Sequence, residues 1–536
     1  MRRILLYLCL LFFFACQNKE PVSEKKQTEN LKPDYGDLLI EGSIGDASNL
    51  IPFLASDSAS HQVADLVYNG LVKYDENLRL VGDLADSFDV SKDGKRIVFK
   101  LKKGVKWHDG KEFTAEDCEF TYKLITNPET PTPYSGDFMM VDKAYAKDKY
   151  TFVVEYKEPF APALSSWGVS IVPKHLLEGK DVTKSPLQRK PIGTGPFIFK
   201  NWQQGEKIEL TANDSYFEGR PYLNGVVFRV IPDMATMFLE LKSENVDLSS
   251  LTPVQYERQA NTKKITDKFN KYKYLAFAYT YFGFNLKKDL FKDIRVRQAI
   301  AYAIDKKEII KGVLLGLGEE ATGPYKPDME WYNGNVERFN FNPEYAKKLL
   351  AEAGYVDKDG DGILEKDGKP LRFTVLTNQG NEARIKTAEI IQRRLKNVGI
   401  DMKILVLEWA TFIKEFVSKR RFDALILGWT IPQDPDLYDI WHSSKMDARG
   451  LNHYSYSNPE VDKLLVLGRK TVDKEKRKKI YFKIQELLAA DVPCVFLYVP
   501  YALPVVHKRF KGVVPMPAGI AYNKYKWGVP KIEQKY

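Results

Sequence analysis

The chain has 536 residues, of which 44% are hydrophobic, 13% aromatic and 28% charged. That balance belongs to a globular protein and excludes fibrous, disordered and multi-span membrane classes, and the length exceeds one small domain at roughly 100–200 residues per domain. Lysine and arginine outnumber aspartate and glutamate by 81 to 71; the excess is scattered in short clusters such as residues 474–479, which argues for a solvated basic surface and against a nucleic-acid binder.

Arg2 and Arg3 precede an apolar run from Ile4 to Ala15 that closes on Phe13, Phe14, Ala15 and Cys16. A bilayer span takes about 20 residues, so this run is too short to cross one, but it has the basic, apolar and small-residue order of a secretory signal. The Ala15-Cys16 junction resembles the lipobox of bacterial lipoproteins, with Phe13 where that pattern usually has leucine. The resemblance implies a signal peptide over residues 1–15 and lipidation of Cys16. Residues 16–34, with Pro21, Ser23, Thr28 and Pro33 and no periodicity, read as a flexible tether. Of the four cysteines, Cys9 would leave with the signal and Cys16 would carry lipid. Only Cys118 and Cys494 then remain, and no disulfide framework follows.

Further along, Thr114 with Asp117 predicts a capped helix whose one face carries Cys118, Thr121, Tyr122 and Ile125, so that Cys118 is a buried structural thiol, as is Cys494. Ile208 with Leu210, and Val226 to Ile231, read as strands. Asn342-Pro343 starts a helix that stops at Gly354, and Ala388, Ile391, Leu395 and Val398 line another. Ile404 to Leu407 and Ala424 to Leu427 are nearly continuous in apolar character, which predicts central strands. Asn458-Pro459 starts a further helix, and Ile480 to Leu488 line one more. The alternation of strands and helices defines an α/β chain.

No G-x-S-x-G elbow, H-E-x-x-H, paired C-x-x-C or phosphate-binding loop is present, so an enzyme is not expected. Gly316, Gly318 and Ala321 imitate a dinucleotide fingerprint but follow a helix, and they read as a loop. The six histidines, including His442 and His453, read as structural. Asp357, Asp359 and Asp361 occupy the first, third and fifth positions of a calcium loop, but Gly368 stands where the twelfth ligand belongs. A turn-rich β-hairpin with exposed carboxylates is favoured over a weak calcium candidate, and no cofactor is implied.

Six strings, in order, resemble the family 5 extracellular solute-binding proteins of bacterial ABC importers, the oligopeptide, dipeptide and nickel receptor group. They are Val67 to Ala85, Lys106 to Thr121, Pro191 to Lys200, Phe284 to Ile310, Pro343 to Gly354 and Gly428 to Ser444. The resemblance implies a two-lobed periplasmic-binding-protein fold (type II, cluster C-like) that closes on its ligand. Lobe I is expected over residues 35–72, 190–279 and 497–536, with an inserted subdomain at 73–189, and lobe II over 280–496. The implied function is a lipid-anchored receptor that captures extended ligands, most readily peptides, and delivers them to the transmembrane subunits of a permease. The alternatives are an oligosaccharide receptor of the same family and a ligand-sensing or scaffold lipoprotein. An exported monomer facing the periplasm or cell surface is expected.

The same resemblance places Asp46, Ala47, Ser48 and Asn49, with the turn Gly193, Thr194 and Gly195, on the lobe I side of the cleft. Gly428, Trp429 and Thr430 would face them from lobe II; the competing reading is that these residues serve turns and core packing. Family members that bind free peptides usually carry an aspartate shortly after Gly-Trp to pair with the ligand ammonium. Here Ile431 and Pro432 stand first, and Asp434 follows in the turn with Asp436. Some dipeptide members place an arginine before the helix near Asn381, but this stretch reads Thr377, Asn378, Gln379 and Gly380, and Arg384 falls on the helix itself. Both charged anchors are thus expected to be missing.

Overall fold

The strands gather into two seven-stranded sheets, seen in a computed structural model that describes residues 32–447 and 449–536. The expected signal peptide, the Cys16 lipidation site and the tether through residue 31 lie outside the described residues. In the first sheet the order is Phe269–Lys271, Pro504–His507, Leu248–Ser250, Leu38–Ser43, Gly225–Val230, Lys207–Ala212, Phe197–Gln203. Leu38–Ser43 runs parallel to Gly225–Val230, with Leu38 opposite Gly225 and Ser43 opposite Val230. The second sheet runs Tyr274–Leu275, Cys494–Ala502, Ala278–Phe284, Ala424–Thr430, Arg372–Asn378, Asp401–Leu407, with Gly318–Glu320 added on Cys494–Ala502.

Each sheet is the spine of one lobe, and the chain passes between them twice, after Lys271 and after Ala502. The expected lobe boundaries at 279/280 and 496/497 instead fall inside Ala278–Phe284 and Cys494–Ala502. The reason is that both strands belong along their whole length to the second sheet, where they pair with each other.

Along the chain, between the first strand and the rest of its sheet, comes a four-stranded antiparallel sheet, ordered Ala85–Val90, Arg96–Leu101, Thr151–Tyr156, Val141–Asp148. Helix Ala115–Thr126 packs on it, started by a reciprocal Thr114/Asp117 capping box, with Cys118 wholly buried. Trp167 anchors this region by edge-on contacts to Phe152 at 4.9 Å and Phe138 at 5.2 Å. The same apolar cluster continues through Leu39 and Phe228 of the first sheet, so the insertion and the first lobe share one core.

The second lobe covers one sheet face with helices Ile294–Ala303, Pro343–Glu352 and Glu382–Lys396, and the other with Pro459–Lys470 and Lys474–Asp491. Their ends follow the sequence signals: Asn342 accepts from the Tyr345 N–H with Pro343 behind it, and Gly354 takes φ +90° after the last turn. Two expectations are corrected. Asp401–Leu407 is an edge strand with Leu405 and Val406 exposed, because apolar runs mark central strands only when helices cover both faces. Gly318, read as loop, begins a strand on the edge of Cys494–Ala502.

The two ends of the described chain are tied by a buried guanidinium. Arg509, 3% exposed, donates to Asp37 Oδ2 at 3.0 Å, to both Asp247 oxygens and to the Leu38 carbonyl at 3.2 Å. Asp247→Ala would leave the buried Arg509 with Asp37 as its remaining carboxylate and its Nη donors under-satisfied, at a cost of about 1–3 kcal/mol. Urea unfolding of the purified variant should show the loss; a change under about 1 kcal/mol would mean that the cluster relaxes freely.

Candidate ligand-binding cleft

The loop at 46–49 is held from within its own lobe. Asp46 accepts from Trp202 Nε1 at 3.0 Å and from the Gly205 N–H at 2.8 Å, Ser48 donates to Asp57, and Asn49 Nδ2 donates to Gln188 Oε1 at 3.0 Å. Asp57 also caps helix Ser58–Val67, so these contacts fix the loop against that helix start. Ala47 is buried with them. The turn at 193–195 lies deeper. Thr194 is 1% exposed and donates to Asn69 Oδ1 at 3.0 Å. A β-carbon on Gly193 would sit 1.8 Å from the Val67 carbonyl oxygen, which is why glycine stands there.

Across the interface the lobes touch at several points. A β-carbon on Gly45 would meet the Trp409 ring at 2.8 Å, and one on Gly380 would meet the Pro232 carbonyl oxygen at 2.6 Å. A cavity of about 560 Å³ lies between Phe238, Leu239 and Gln255 on the first lobe and Glu382, Ala383 and Lys386 on the second.

Strand Ala424–Thr430 carries the expected second-lobe residues. One side pairs with Ala278–Phe284 throughout, from Phe284 opposite Ala424 to Ala278 opposite Thr430. The other side pairs with Arg372–Asn378 only at Ala424 and Leu425. Among the described residues no strand continues that pairing along Gly428, Trp429 and Thr430, which leaves that side of the backbone without a strand partner. Trp429 stacks on His453 with centroids 5.3 Å apart and planes 6° from parallel, and it donates to the Tyr454 hydroxyl at 3.1 Å, so its ring belongs mostly to the second core. Burial, and then the charge of Arg420, push the His453 imidazole well below its ordinary range, which keeps it neutral against the indole.

The aspartate turn is occupied from inside. Arg477 grips Asp434 with two bonds, at 2.6 and 2.8 Å, and Arg469 donates to Asp436 at 2.7 Å. Burial disfavours the Arg477 charge, yet the hydrogen bonds and charge of Asp434 hold its guanidinium above the ordinary value. Asp434 is therefore committed to an internal pair.

Arg384 is the residue whose place the sequence conceals. It lies in the first turn of helix Glu382–Lys396, and its guanidinium reaches back to the strand edge: a β-carbon on Gly428 would fall 2.6 Å from Nη2. Nη1 donates to Asn378 Oδ1 at 2.9 Å, while Nε has no hydrogen-bond partner. Among the described residues no carboxylate pairs with it, and burial pulls its pKa below the ordinary arginine value. A half-buried cation without an anion beside a strand edge is suited to receive a negative group.

Asp357, Asp359 and Asp361 bring carboxylate oxygens within 4.8 Å of one another on an exposed loop. Each accepts a backbone N–H of that loop, from Gly360, Asp361 and Ile363 among others, and a two-residue hairpin follows at Glu365–Lys366 and Lys369–Pro370.

Two lobes on separate sheets, joined by two crossings of the chain, define a periplasmic-binding-protein fold. The chain belongs to the bacterial extracellular solute-binding proteins, family 5, whose middle region matches residues 79–448. It is 37% identical over 536 residues to the oligopeptide-binding protein AppA of Bacillus subtilis, covering 97% of both chains. The solved structure of that AppA with a nonapeptide superposes with a TM-score of 0.88 at 36% identity, covering 93% of this chain and all of the other. NikZ of Campylobacter jejuni with Ni(L-His) and DppA of Helicobacter pylori with the peptide STSA each give 0.83, at 28% and 27% identity, covering 92% and 93% of this chain and 99% of theirs. The family is one of binding proteins. Among the described residues no helix is long and apolar enough to cross a membrane.

The internal pairing of Asp434 carries its own test. Asp434→Ala should cost about 3 kcal/mol of stability by leaving Arg477 buried without its partner, while ligand affinity stays within about twofold. A large affinity loss with unchanged unfolding would return Asp434 to the ligand.

Proposed function

We propose that the protein is a receptor for extended peptides, captured between the lobes and handed to the transmembrane subunits of an ABC permease. The observation that carries this reading is the strand edge at Gly428–Thr430, which ends its pairing with Arg372–Asn378 at Leu425. An extended peptide can add to such an edge through main-chain hydrogen bonds, which hold any sequence, while side chains fill wet pockets. The likeness to AppA, solved with a nonapeptide, supports the same ligand class. Residues 46–49 and 193–195 then shape the opposite wall through their packing, and direct ligand contact falls to the Gly428 edge and to Arg384.

Charge gives the reading its specificity. With Pro432 at the position of the usual anchoring aspartate and Asp434 held by Arg477, no side chain is assigned to a ligand ammonium. Arg384 is assigned to the anionic end. Calorimetry with one pentapeptide in three forms tests this. N-acetylation should change affinity less than about threefold, whereas C-terminal amidation should weaken it about tenfold, and Arg384→Met should erase that second difference. A tenfold preference for the free amine would overturn the assignment, and no binding of any form would overturn the peptide reading.

Export and anchoring are proposed from Cys16. Acylation of its thiol, together with a tether through residue 34, would hold a monomeric receptor at a membrane surface, on the periplasmic or outer face. Cys16→Ala should release the protein into the soluble fraction or leave it unprocessed; recovery of the variant in carbonate-washed membranes at the wild-type level would count against lipidation.

A further inference from the structure

A second interface between the lobes lies away from the Gly428 edge, where helix Pro459–Lys470 meets the insertion. Arg469 is 1% exposed, and its guanidinium faces two bodies at once. Toward its own lobe it donates from Nε to Asp436 at 2.7 Å and lies 3.6 Å from Asp439. Toward the insertion, Nη1 donates to the Gly136 carbonyl at 2.6 Å and Nη2 to Asp137 Oδ1 at 3.2 Å.

The neighbouring contacts cross the same boundary. The Ala161 N–H donates to the Arg469 carbonyl at 2.7 Å, Lys470 Nζ donates to Glu158 at 2.8 Å, and Arg449 Nη1 donates to the Pro128 carbonyl at 2.8 Å. Gly136 sets the spacing. A β-carbon there would lie 2.3 Å from Asp439 Oδ1 and 2.8 Å from Lys445 Nζ, so the turn approaches as closely as glycine allows. Asp439 cannot yield easily, because Lys445 holds it at 2.7 Å.

Three features make this more than ordinary packing. The insertion shares its core with the first lobe, so any rotation between the lobes must break the Arg469 bonds to Gly136 and Asp137. The bonds are charge-assisted, the strong class of hydrogen bond, and their donor, Arg469, is buried while Asp137 is half-buried. Within its own lobe Arg469 keeps Asp436 and Asp439, so opening leaves the cation paired and the lobe intact.

We propose that Arg469 and Lys470 form an ionic latch between the insertion and the second lobe, which stabilises the closed state independently of ligand contacts and so sets ligand affinity from outside the cleft. The latch rests on the reading of the protein as a closing receptor. Its physical basis is linkage: whatever favours the binding-competent state tightens apparent affinity by the same factor.

Gly136→Ala tests it with little risk to folding, since Gly136 does not use the left-handed backbone and the atoms its methyl would meet all lie across the interface. Lys470→Ala removes a single pair as a milder second variant. In the full-length protein, spin labels at Lys92→Cys and Lys476→Cys report the distance between insertion and second lobe, with and without a saturating pentapeptide. Gly136→Ala should shift the distribution to longer distances and weaken pentapeptide binding about tenfold, Lys470→Ala should do so by about twofold to threefold, and both should keep the wild-type melting temperature within a few degrees. Peptide binding with wild-type distances and affinity in both variants overturns the latch and leaves the receptor reading in place. Absence of peptide binding together with variant-dependent distances overturns the receptor reading and leaves the latch.

Discussion

The paired crossing of the chain between its two sheets is the constraint on which the rest depends. Tyr274–Leu275 and Tyr501–Ala502 run antiparallel beside each other, and hydrogen bonds from the Tyr272 and Ala276 N–H groups to the Pro504 and Pro500 carbonyls, at 2.9 and 3.0 Å, tie the two crossings into one ribbon. A two-stranded ribbon bends and twists but does not slide, so the lobes are free in rotation and fixed in register. Every contact across the cleft inherits that restriction. In the proposed closing receptor, residues on facing rims would meet in the same pairs at each closure.

Rigid lobes are the other half of such a device. The first lobe and its insertion share a core running from Leu39 through Phe228 to Trp167. The second lobe has an apolar layer on each face of its sheet. Cores packed to crystal density resist bending, so motion concentrates in the two crossings and in the surfaces that part. Glycines mark where those surfaces approach most closely: Gly45 against Trp409, Gly380 against Pro232 and Gly136 against Asp439 all sit between lobes. Each allows an approach that a β-carbon would forbid.

Electrostatics within the cleft region follow one pattern. The two carboxylates of the 434–436 turn are answered by protein arginines, Asp434 by Arg477 and Asp436 by Arg469. Arg384 is left without a carboxylate. In the proposed reading, a site arranged this way offers no carboxylate to a ligand ammonium and favours a negative group near the Gly428 edge. In that reading, main-chain recognition along the strand edge supplies affinity that does not depend on peptide sequence.

Local signals were legible in the sequence wherever the physics is local. Thr114 with Asp117, Asn342 with Pro343, and Asn458 with Pro459 start helices as expected, because a cap is satisfied by N–H groups within three residues. Burial of Cys118 and Cys494 followed from helix and strand periodicity. The ordered strings of family 5 carried the two-lobed fold, which no periodicity could have done. Only the tertiary structure decided which strand is central and which is edge, as at Asp401–Leu407, because cover comes from helices distant in sequence. It alone decided that Asp434 turns inward to Arg477, 43 residues away, and that Arg384 reaches back from its helix to Gly428. A side chain's charge is written in the sequence, but the partner that neutralises it is chosen by three-dimensional packing between elements far apart along the chain.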